Sequence, residues 1–258
     1  MAVGEAGSPR NNSSSLRRGL RLLRCVADGP DAGLTLAELA RVAELPKSTV
    51  VRLLPPLVEE GLLAHAGARY RLGPSTAAYG GRYLEGLDIR TAARGALEPL
   101  AAATGETAHL VLLDGIEVVY VDKVESPSPV RMYSRIGSRR PLYCTAVGKA
   151  LLERHEADLL PAVLAAGLTP LTPTTLVTEA ALREDLARVR RRGYALDDGE
   201  NEPGIRCVAA AVTDSAGHAF AALSVSGPAG RVTKARSAEL GARVRAAAAE
   251  VSRAYGAR

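Results

Sequence analysis

Residues 35–61 hold two short amphipathic segments joined by a tight turn, and this arrangement restricts the possible fold more than any other part of the sequence. Thr35 precedes the first segment and Glu38 follows three residues later, the spacing of a capping box at a helix start. A Glu-Leu-Pro turn ends at Pro46, a position at which a new helix tolerates proline. Gly61 is placed to end that helix. The pattern therefore predicts a helix, a turn and a second helix.

Further elements flank this pair on both sides. A preceding helix is predicted after the serine run at 13–15, with Ser15 as its cap and Asp28-Gly29-Pro30 as its stop. Its apolar residues at helical spacing are Leu16, Leu20, Leu23 and Val26. Two short strands, LLAHA and RYRLG, follow the pair and meet at Gly67. The order of elements is that of a winged helix-turn-helix.

In a helix-turn-helix, the second helix lies in the major groove of DNA, and residues at its N-terminal end contact base edges. Arginine and lysine suit guanine and phosphate, and hydroxyls suit either. The predicted DNA-binding residues are Lys47, Ser48, Thr49 and Arg52 on this helix, and Arg69 and Arg71 on the wing. The alternative is an ordinary three-helix domain whose polar residues are simply solvated. Pro55-Pro56 is expected to kink the helix or end it early.

Charge and cysteine content agree with a DNA-binding role without requiring it. The 258 residues carry a net charge of +5, and the first 75 hold ten Lys and Arg against seven Asp and Glu. The three cysteines show neither a disulfide framework nor zinc-ligand spacing, which favours a reducing cytoplasm. No membrane-spanning run or signal peptide is expected.

The rest of the chain predicts a mixed α+β domain built on an antiparallel sheet. Helices are expected at 91–103, 145–154, 157–166, 178–192 and 230–256, and strands at 107–113, 117–124, 129–136, 194–197, 205–213 and 218–226. Asp114-Gly115 and the segment 214–217 are predicted tight turns between strands. The predicted divisions are a disordered tail at 1–13, a DNA-binding domain at 14–74, a linker helix at 75–90 and a larger domain at 91–258.

Three segments resemble the IclR family of bacterial regulators: LAELARVAELPKSTVVRLL, RMYSRIGSRRPLYCTAVGKALL and ALDDGENEPGIRCVAAAVTDSAGHAFAALSVSGPAGR. The resemblance covers essentially the whole chain from about Ser14, and Pro55-Pro56 departs from the usual family pattern. It implies a GAF-like C-terminal domain that binds a small carboxylate or aromatic effector. It also implies a double-stranded, palindromic operator, often beside catabolic genes. Self-association as a dimer or tetramer is implied as well, and members include both repressors and activators.

The resemblance also implies an effector site, lined by Thr145, Ala146, Val147, Asp197, Cys207, Ser224 and Ser226. Ser224 and Ser226 are two residues apart in a predicted strand and so face one side. The helix after Thr145 offers free N–H groups to a carboxylate. Asp197 is suited either to orient a ligand hydroxyl or to cap a turn, whereas Asp198 and Glu200 fit a solvated turn. The plainer alternative is close packing of small residues and a buried cysteine.

Other functions fit parts of the sequence less well. Cys144 and Cys207 are candidates for the reactive thiols of a thiol-based enzyme or sensor. Asp197, Cys207 and His109 are candidates for the ligands of a zinc sensor. An architectural DNA-binding protein is expected to be far more basic. The sequence therefore predicts a transcription regulator without enzymatic activity or a cofactor. By analogy to the VRMYSRIGSRRPLYCT segment of related regulators, its effector is a sugar acid, with an aromatic acid as the other candidate.

Overall fold

The computed structural model describes residues 13–130 and 132–256. The chain divides into two compact units between Glu85 and Gly86. We call these the N-terminal unit and the C-terminal unit. The tail predicted at 1–13 lies outside the described residues except for Ser13. Within the described ranges, the helices are too short or too polar to cross a lipid bilayer.

The N-terminal unit combines helices with a small sheet. Its elements are α1 (Ser14–Ala27), β1 (Leu34–Thr35), α2 (Leu36–Val42), α3 (Lys47–Glu59), β2 (Leu63–Ala66), β3 (Arg69–Leu72) and α4 (Pro74–Glu85). The three strands are antiparallel in the order β1-β3-β2. The predicted wing is therefore present, and β1 adds a third strand to it.

The capping box predicted for α2 is confirmed. The Glu38 N–H donates to the Thr35 hydroxyl at 3.3 Å, and the Thr35 N–H donates to the Glu38 carboxylate at 2.8 Å. Behind it, Leu39 of α2 packs in one core with Val50 and Leu54 of α3. These contacts fix α3 through its inner face and leave its opposite face in solvent.

Helix α3 runs through Pro55-Pro56 and ends only at Glu59, so the expected early end is wrong. Both prolines are solvent-exposed, and their rings point away from the core. Two residues beyond this end, Gly61 has a φ of +67°, which is disfavoured for residues with a side chain and turns the chain away from the helix. The Leu62 N–H then donates to the Leu57 carbonyl at 2.9 Å, which closes the C-terminal turn.

The predicted start of α1 is also corrected. The helix begins at Ser14, and the cap position is Ser13, which makes no side-chain capping bond, so Ser15 lies inside the first turn. The predicted apolar stripe is only partly buried: Val26 is in the core, whereas Leu16 and Leu20 are 61% and 49% exposed. The outer half of the stripe is therefore available for contacts beyond this unit.

A single linker helix at 75–90 does not form. Helix α4 ends at Glu85, and α5 begins at Asp88 rather than at 91. Leu87 is in an extended conformation at the cap position, with φ of −94° and ψ of 91°, and this interrupts the helix.

The C-terminal unit is an α+β domain, as predicted. Its elements are α5 (Asp88–Thr104), β4 (Thr107–Asp114), β5 (Glu117–Val124), β6 (Arg139–Pro141), α6 (Ala146–Arg154), α7 (Glu156–Ala166), α8 (Glu179–Arg192), β7 (Ala195–Asp198), β8 (Ile205–Thr213), β9 (Ala219–Pro228) and α9 (Ser237–Gly256). The six strands form one antiparallel sheet in the order β6-β5-β4-β9-β8-β7. The predicted turns at Asp114-Gly115 and 214–217 join β4 to β5 and β8 to β9.

The sheet separates two layers of helices. Residues such as Cys207, Ala209 and Ala222 form one buried cluster with Ala146 and Val147 of α6. Residues that alternate with these point to the other face, where α5 and α9 pack together and against the sheet. Side chains on the α6 face are therefore enclosed between the sheet and α6.

Two predicted elements of this unit are wrong. The described residues of 129–136 are not a strand, and β5 instead pairs with the short β6. The last helix begins at Ser237 rather than at 230, because residues 229–236 are held in turns by backbone hydrogen bonds such as Val232 N–H to the Pro228 carbonyl.

Candidate DNA interface and effector site

The N-terminal half of α3 presents an exposed polar surface. Lys47, Ser48 and Arg52 are exposed, and Thr49 is half-buried beside the buried Val50. The first turn contains no acidic residue, and Pro46 provides no side-chain cap. The first N–H groups of a helix have no acceptor within the helix, so this end is suited to bind phosphate.

The two predicted wing arginines make contacts inside the unit. The Arg69 guanidinium donates to the Gly33 carbonyl at 2.8 Å and to the Glu38 carboxylate at 3.1 Å. Arg71 Nε donates to the Ala32 carbonyl at 3.2 Å, and the side chain is exposed. Both residues therefore hold the wing against the segment before α2, a role that their strand alternation did not predict.

The sheet brings the predicted effector-binding residues together. Asp197 on β7 pairs with Cys207 on β8, which pairs in turn with Ser226 on β9. Directly opposed residues share a face of the sheet, so these three side chains form a row. Ser224 lies on the same face, opposite His109 of β4.

The start of α6 covers this row. Thr145 caps the helix by accepting a hydrogen bond from the Gly148 N–H at 3.1 Å, which leaves the N–H groups of Ala146 and Val147 at the helix end. A Cβ at Gly148 would approach the backbone of Leu142 to 2.5 Å, so only glycine allows this close approach. All seven predicted residues are buried.

His109 belongs to the same face, although the sequence pointed to it only as a zinc ligand. Its Nε2 lies 2.9 Å from the Ser134 hydroxyl, and its Nδ1 lies 3.5 Å from the Ser224 hydroxyl. The ring packs edge-on against Tyr120, with the ring centroids 5.2 Å apart. Complete burial lowers the pKa of His109 to about 3, so the ring is neutral at neutral pH. A neutral imidazole has one donor and one acceptor nitrogen. The alternation of TAHLVLL, which puts His109 and Thr107 on one face, would have identified it.

A buried ion cluster lies beside the row. The Lys149 ammonium is 2.7 Å from the Asp185 carboxylate and 2.6 Å from that of Glu200, and all three side chains are at most 8% exposed. The expectation that Glu200 is solvated is therefore wrong, because its carboxylate turns inward to a lysine that the sequence did not mark. The Asp198 side chain is 41% exposed, in agreement with that expectation, and its carboxylate also accepts a hydrogen bond from Arg206 Nε at 2.8 Å.

Asp197 caps the turn that carries Glu200. Its carboxylate accepts hydrogen bonds from the N–H groups of Glu200 at 2.7 Å and Asn201 at 3.4 Å. Burial raises the pKa of Asp197 to about 7, and the nearby charge of Glu200 adds to the shift. These two hydrogen bonds are those of a turn cap, the second role considered for Asp197. Because its pKa is raised, Asp197 is an easily protonated carboxyl at the end of the row.

The two buried cysteines do not have the features of reactive thiols. Burial raises the pKa of Cys144 to about 12 and that of Cys207 well above its ordinary value. Both are reduced, and a thiol that stays protonated is a poor nucleophile and a poor metal ligand. Within the described part of the chain, no three His, Cys, Asp or Glu side chains are grouped so that they can hold a metal ion.

A separate concave region of about 730 Å³ opens between α6, α8, α9 and the edge of β8. Its lining includes small side chains such as Ala211 and Ala246 together with Arg154 and Arg253. None of the predicted effector-binding residues lines it. The predicted effector-binding residues therefore lie in the enclosed row under α6 and not in this open groove.

Two known protein-family models match this chain, and they include the exposed start of α3 and the row under α6. The model of the IclR helix-turn-helix domain matches residues 15–67, and that of the bacterial transcriptional regulator IclR C-terminal domain matches residues 81–253. The chain belongs to the IclR family. This confirms the resemblance seen in the three sequence segments.

Relatives in the IclR family are similar over almost the whole chain. The acetate operon repressor of Salmonella typhimurium is 37% identical over 94% of this chain and 90% of its own length. The transcriptional repressor IclR of Escherichia coli is 36% identical over the same shares. These relatives are transcription regulators rather than enzymes.

Solved structures share the fold. Thermotoga maritima IclR is 33% identical and superimposes with a TM-score of 0.73, covering 95% of this chain and 99% of its own. An IclR homologue from Microbacterium hydrocarbonoxydans, complexed with 4-hydroxybenzoate, is 25% identical with a TM-score of 0.78, over 95% and 100% of the two chains. The chain is therefore an IclR-type transcription regulator with a DNA-binding helix-turn-helix and an effector-binding C-terminal domain, and the thiol or metal alternative is not favoured.

Proposed function

We propose that this regulator acts in the cytoplasm on a palindromic operator of a catabolic operon, with α3 in the major groove. The observation that carries the proposal is the exposed, acid-free start of α3, where Lys47, Ser48 and Arg52 stand beside uncapped N–H groups. Arg52 contacts guanine or phosphate, and Thr49 contacts phosphate. The DNA-binding domain is 14–74, and Arg71 of the wing adds a contact to the DNA backbone.

The effector in this proposal is a small carboxylate bound under α6. Its carboxylate meets the N–H groups of Ala146 and Val147, and its hydroxyl groups meet Ser224, Ser226 and the Asp197 carboxyl. The enclosed polar row supports a ligand with one anionic end and hydroxyls, such as a sugar acid. The homologue with 4-hydroxybenzoate supports an aromatic acid as the second candidate.

Self-association through the DNA-binding half completes the proposal. Large apolar side chains are exposed on this unit: Leu16 and Leu20 on α1, and Tyr79 and Tyr83 on α4. Exposed apolar groups of this kind are typical of interaction surfaces. A symmetric dimer presents two α3 helices to a palindrome, and further pairing gives a tetramer.

Regulation follows from the two-unit plan. The effector favours one arrangement of the domains at 91–258, and the segment 75–90, with its break before Asp88, transmits this to the spacing of the α3 helices. An effector changes operator affinity only by its differential affinity for the two arrangements.

The Arg52→Ala variant tests the DNA-binding part. We expect operator affinity to fall about 5- to 150-fold, because a base or phosphate contact of arginine contributes on the order of 1–3 kcal/mol. Gel shifts with DNA from beside the gene, at physiological salt with excess nonspecific competitor, measure it. Arg243→Ala, which removes another exposed arginine, from α9, is the matched control. Equal affinity of the two variants and the parent contradicts the proposed DNA-binding surface.

The Ser224→Val variant tests the effector site. We expect specific DNA binding to persist, while the response of the gel shift to a panel of sugar acids and aromatic acids weakens about 5- to 100-fold through loss of a ligand hydrogen bond. Ser224→Ala removes the hydroxyl without added bulk, and Ser215→Val on an exposed turn is the control. An unchanged effector response in both Ser224 variants places the effector site elsewhere.

A further inference from the structure

Val51 stands exposed in the middle of the polar surface of α3. Its side chain is 53% exposed, whereas its neighbours Val50 and Leu54 are buried in the core. Ser48 and Arg52 lie one turn before it and one residue after it, and both are exposed. Val51 thus contributes little to the core and shares the helix face that approaches DNA.

Single exposed valines are common on protein surfaces. Val51, however, lies among the residues of α3 that are proposed to contact DNA. Residues at 48, 51, 52 and 55 form one stripe along a helix. Pro55, exposed one turn after Val51, continues the stripe with a second apolar side chain. A valine in a helix has one strongly preferred rotamer, so its two methyl groups are held in a fixed direction.

The major groove offers one apolar group to such a side chain. Among the four bases, only thymine presents a methyl group there, and small apolar side chains recognise it. The short, rigid Val51 side chain has no hydrogen-bonding group with which to contact other base edges. The neighbouring Arg52 supplies the polar contact to an adjacent base pair or phosphate.

We propose that Val51 contacts the 5-methyl group of one thymine in each operator half-site, next to the position contacted by Arg52. The proposal rests on the placement of α3 in the major groove. Val51 then contributes to sequence specificity through an apolar contact alone.

The experiment uses the full-length protein and DNA selected from a random 30-base-pair library. Each thymine of the selected sequence is replaced singly by deoxyuridine, which removes only the methyl group. We expect one thymine per half-site at which parent affinity falls about fourfold, as for loss of one buried methyl group. We expect the affinity of Val51→Ala for the thymine-containing DNA to be lower than that of the parent by a similar factor. We also expect Val51→Ala to bind the thymine-containing and deoxyuridine-containing DNA equally well at that position.

The fold of the variant and one control variant make the result specific. Alanine favours helix more than valine, so the variant keeps its fold. Val42→Ala removes a similarly exposed valine, 41% accessible, from α2 and should keep the parent's sensitivity to deoxyuridine. Equal deoxyuridine sensitivity of Val51→Ala and the parent at every thymine overturns the proposal for Val51 alone. Failure of the parent to enrich any sequence overturns it together with the proposed DNA-binding function.

Discussion

Replacing Lys149 with methionine lowers the free energy of unfolding of the C-terminal unit by about 3–5 kcal/mol, the usual cost of removing one partner from a buried ion pair. The Lys149 side chain is 1% exposed, and its ammonium lies 2.7 Å from Asp185 and 2.6 Å from Glu200. Methionine has a similar volume and no charge, so the packing stays while the Asp185 and Glu200 carboxylates lose the ammonium that they share.

The two carboxylates respond differently because their other neighbours differ. Burial raises the pKa of Asp185, but Lys149 and the arginines Arg192 and Arg188 outweigh burial and bring it below its ordinary value. At Glu200, the effect of burial is larger than that of Lys149, and the pKa of the carboxyl is raised above its ordinary value. Without Lys149, Glu200 therefore takes up a proton first, whereas Asp185 keeps two arginines nearby.

Rescue separates the charge effect from simple loss of packing. Adding Glu200→Gln to Lys149→Met removes the uncompensated carboxylate, and we expect more than half of the lost stability to return. Thermal unfolding followed by calorimetry resolves the C-terminal unit in a chain that lacks tryptophan. Lys234→Met, at a side chain that is 78% exposed, is the control. A loss below about 1 kcal/mol in Lys149→Met contradicts the buried-charge account.

The N-terminal fold could be predicted because its signals are local. The capping box of Thr35 and Glu38 spans four residues, and Gly61 and Gly67 stop a helix and turn a hairpin through their own positive φ. Such features act within one turn of chain, so no knowledge of distant partners is needed.

The buried ion cluster could not be predicted because its members are distant from one another in sequence. Lys149 meets Glu200 fifty-one residues away, and nothing in KALLERHE marks this lysine as internal. The false strand at 129–136 has a related cause. Met132 and Ser134 are buried and Tyr133 is exposed, so the alternation is real, but it arises from packing over His109 rather than from strand pairing.

Asp197 should make the folded protein less stable as the pH rises from about 4 to 7. Its pKa is about 7 in the folded state, raised by burial and by the charge of Glu200, against about 3.9 when unfolded. Between these values the folded protein binds a proton that the unfolded chain has released. The free energy of unfolding therefore falls by up to about 1.4 kcal/mol per pH unit, about 4 kcal/mol in all, and levels off above pH 7.

The Asp197→Asn variant removes this titration and keeps the carbonyl oxygen that accepts from the Glu200 N–H. We expect its stability relative to the parent to increase by about 2 kcal/mol between pH 5 and pH 7 in urea unfolding. Asp198→Asn is the matched control. Although burial opposes it, Lys234 and Arg206 hold the pKa of Asp198 below its ordinary value, so Asp198 is ionised in both states over this range. The charges around Asp197 are those of Glu200 and Lys149, which stay in both variants. Parallel pH profiles for the parent and Asp197→Asn would mean that Asp197 is already ionised in the fold at pH 5, and the hydroxyl groups of the proposed effector would then meet a carboxylate rather than a carboxyl that holds a proton.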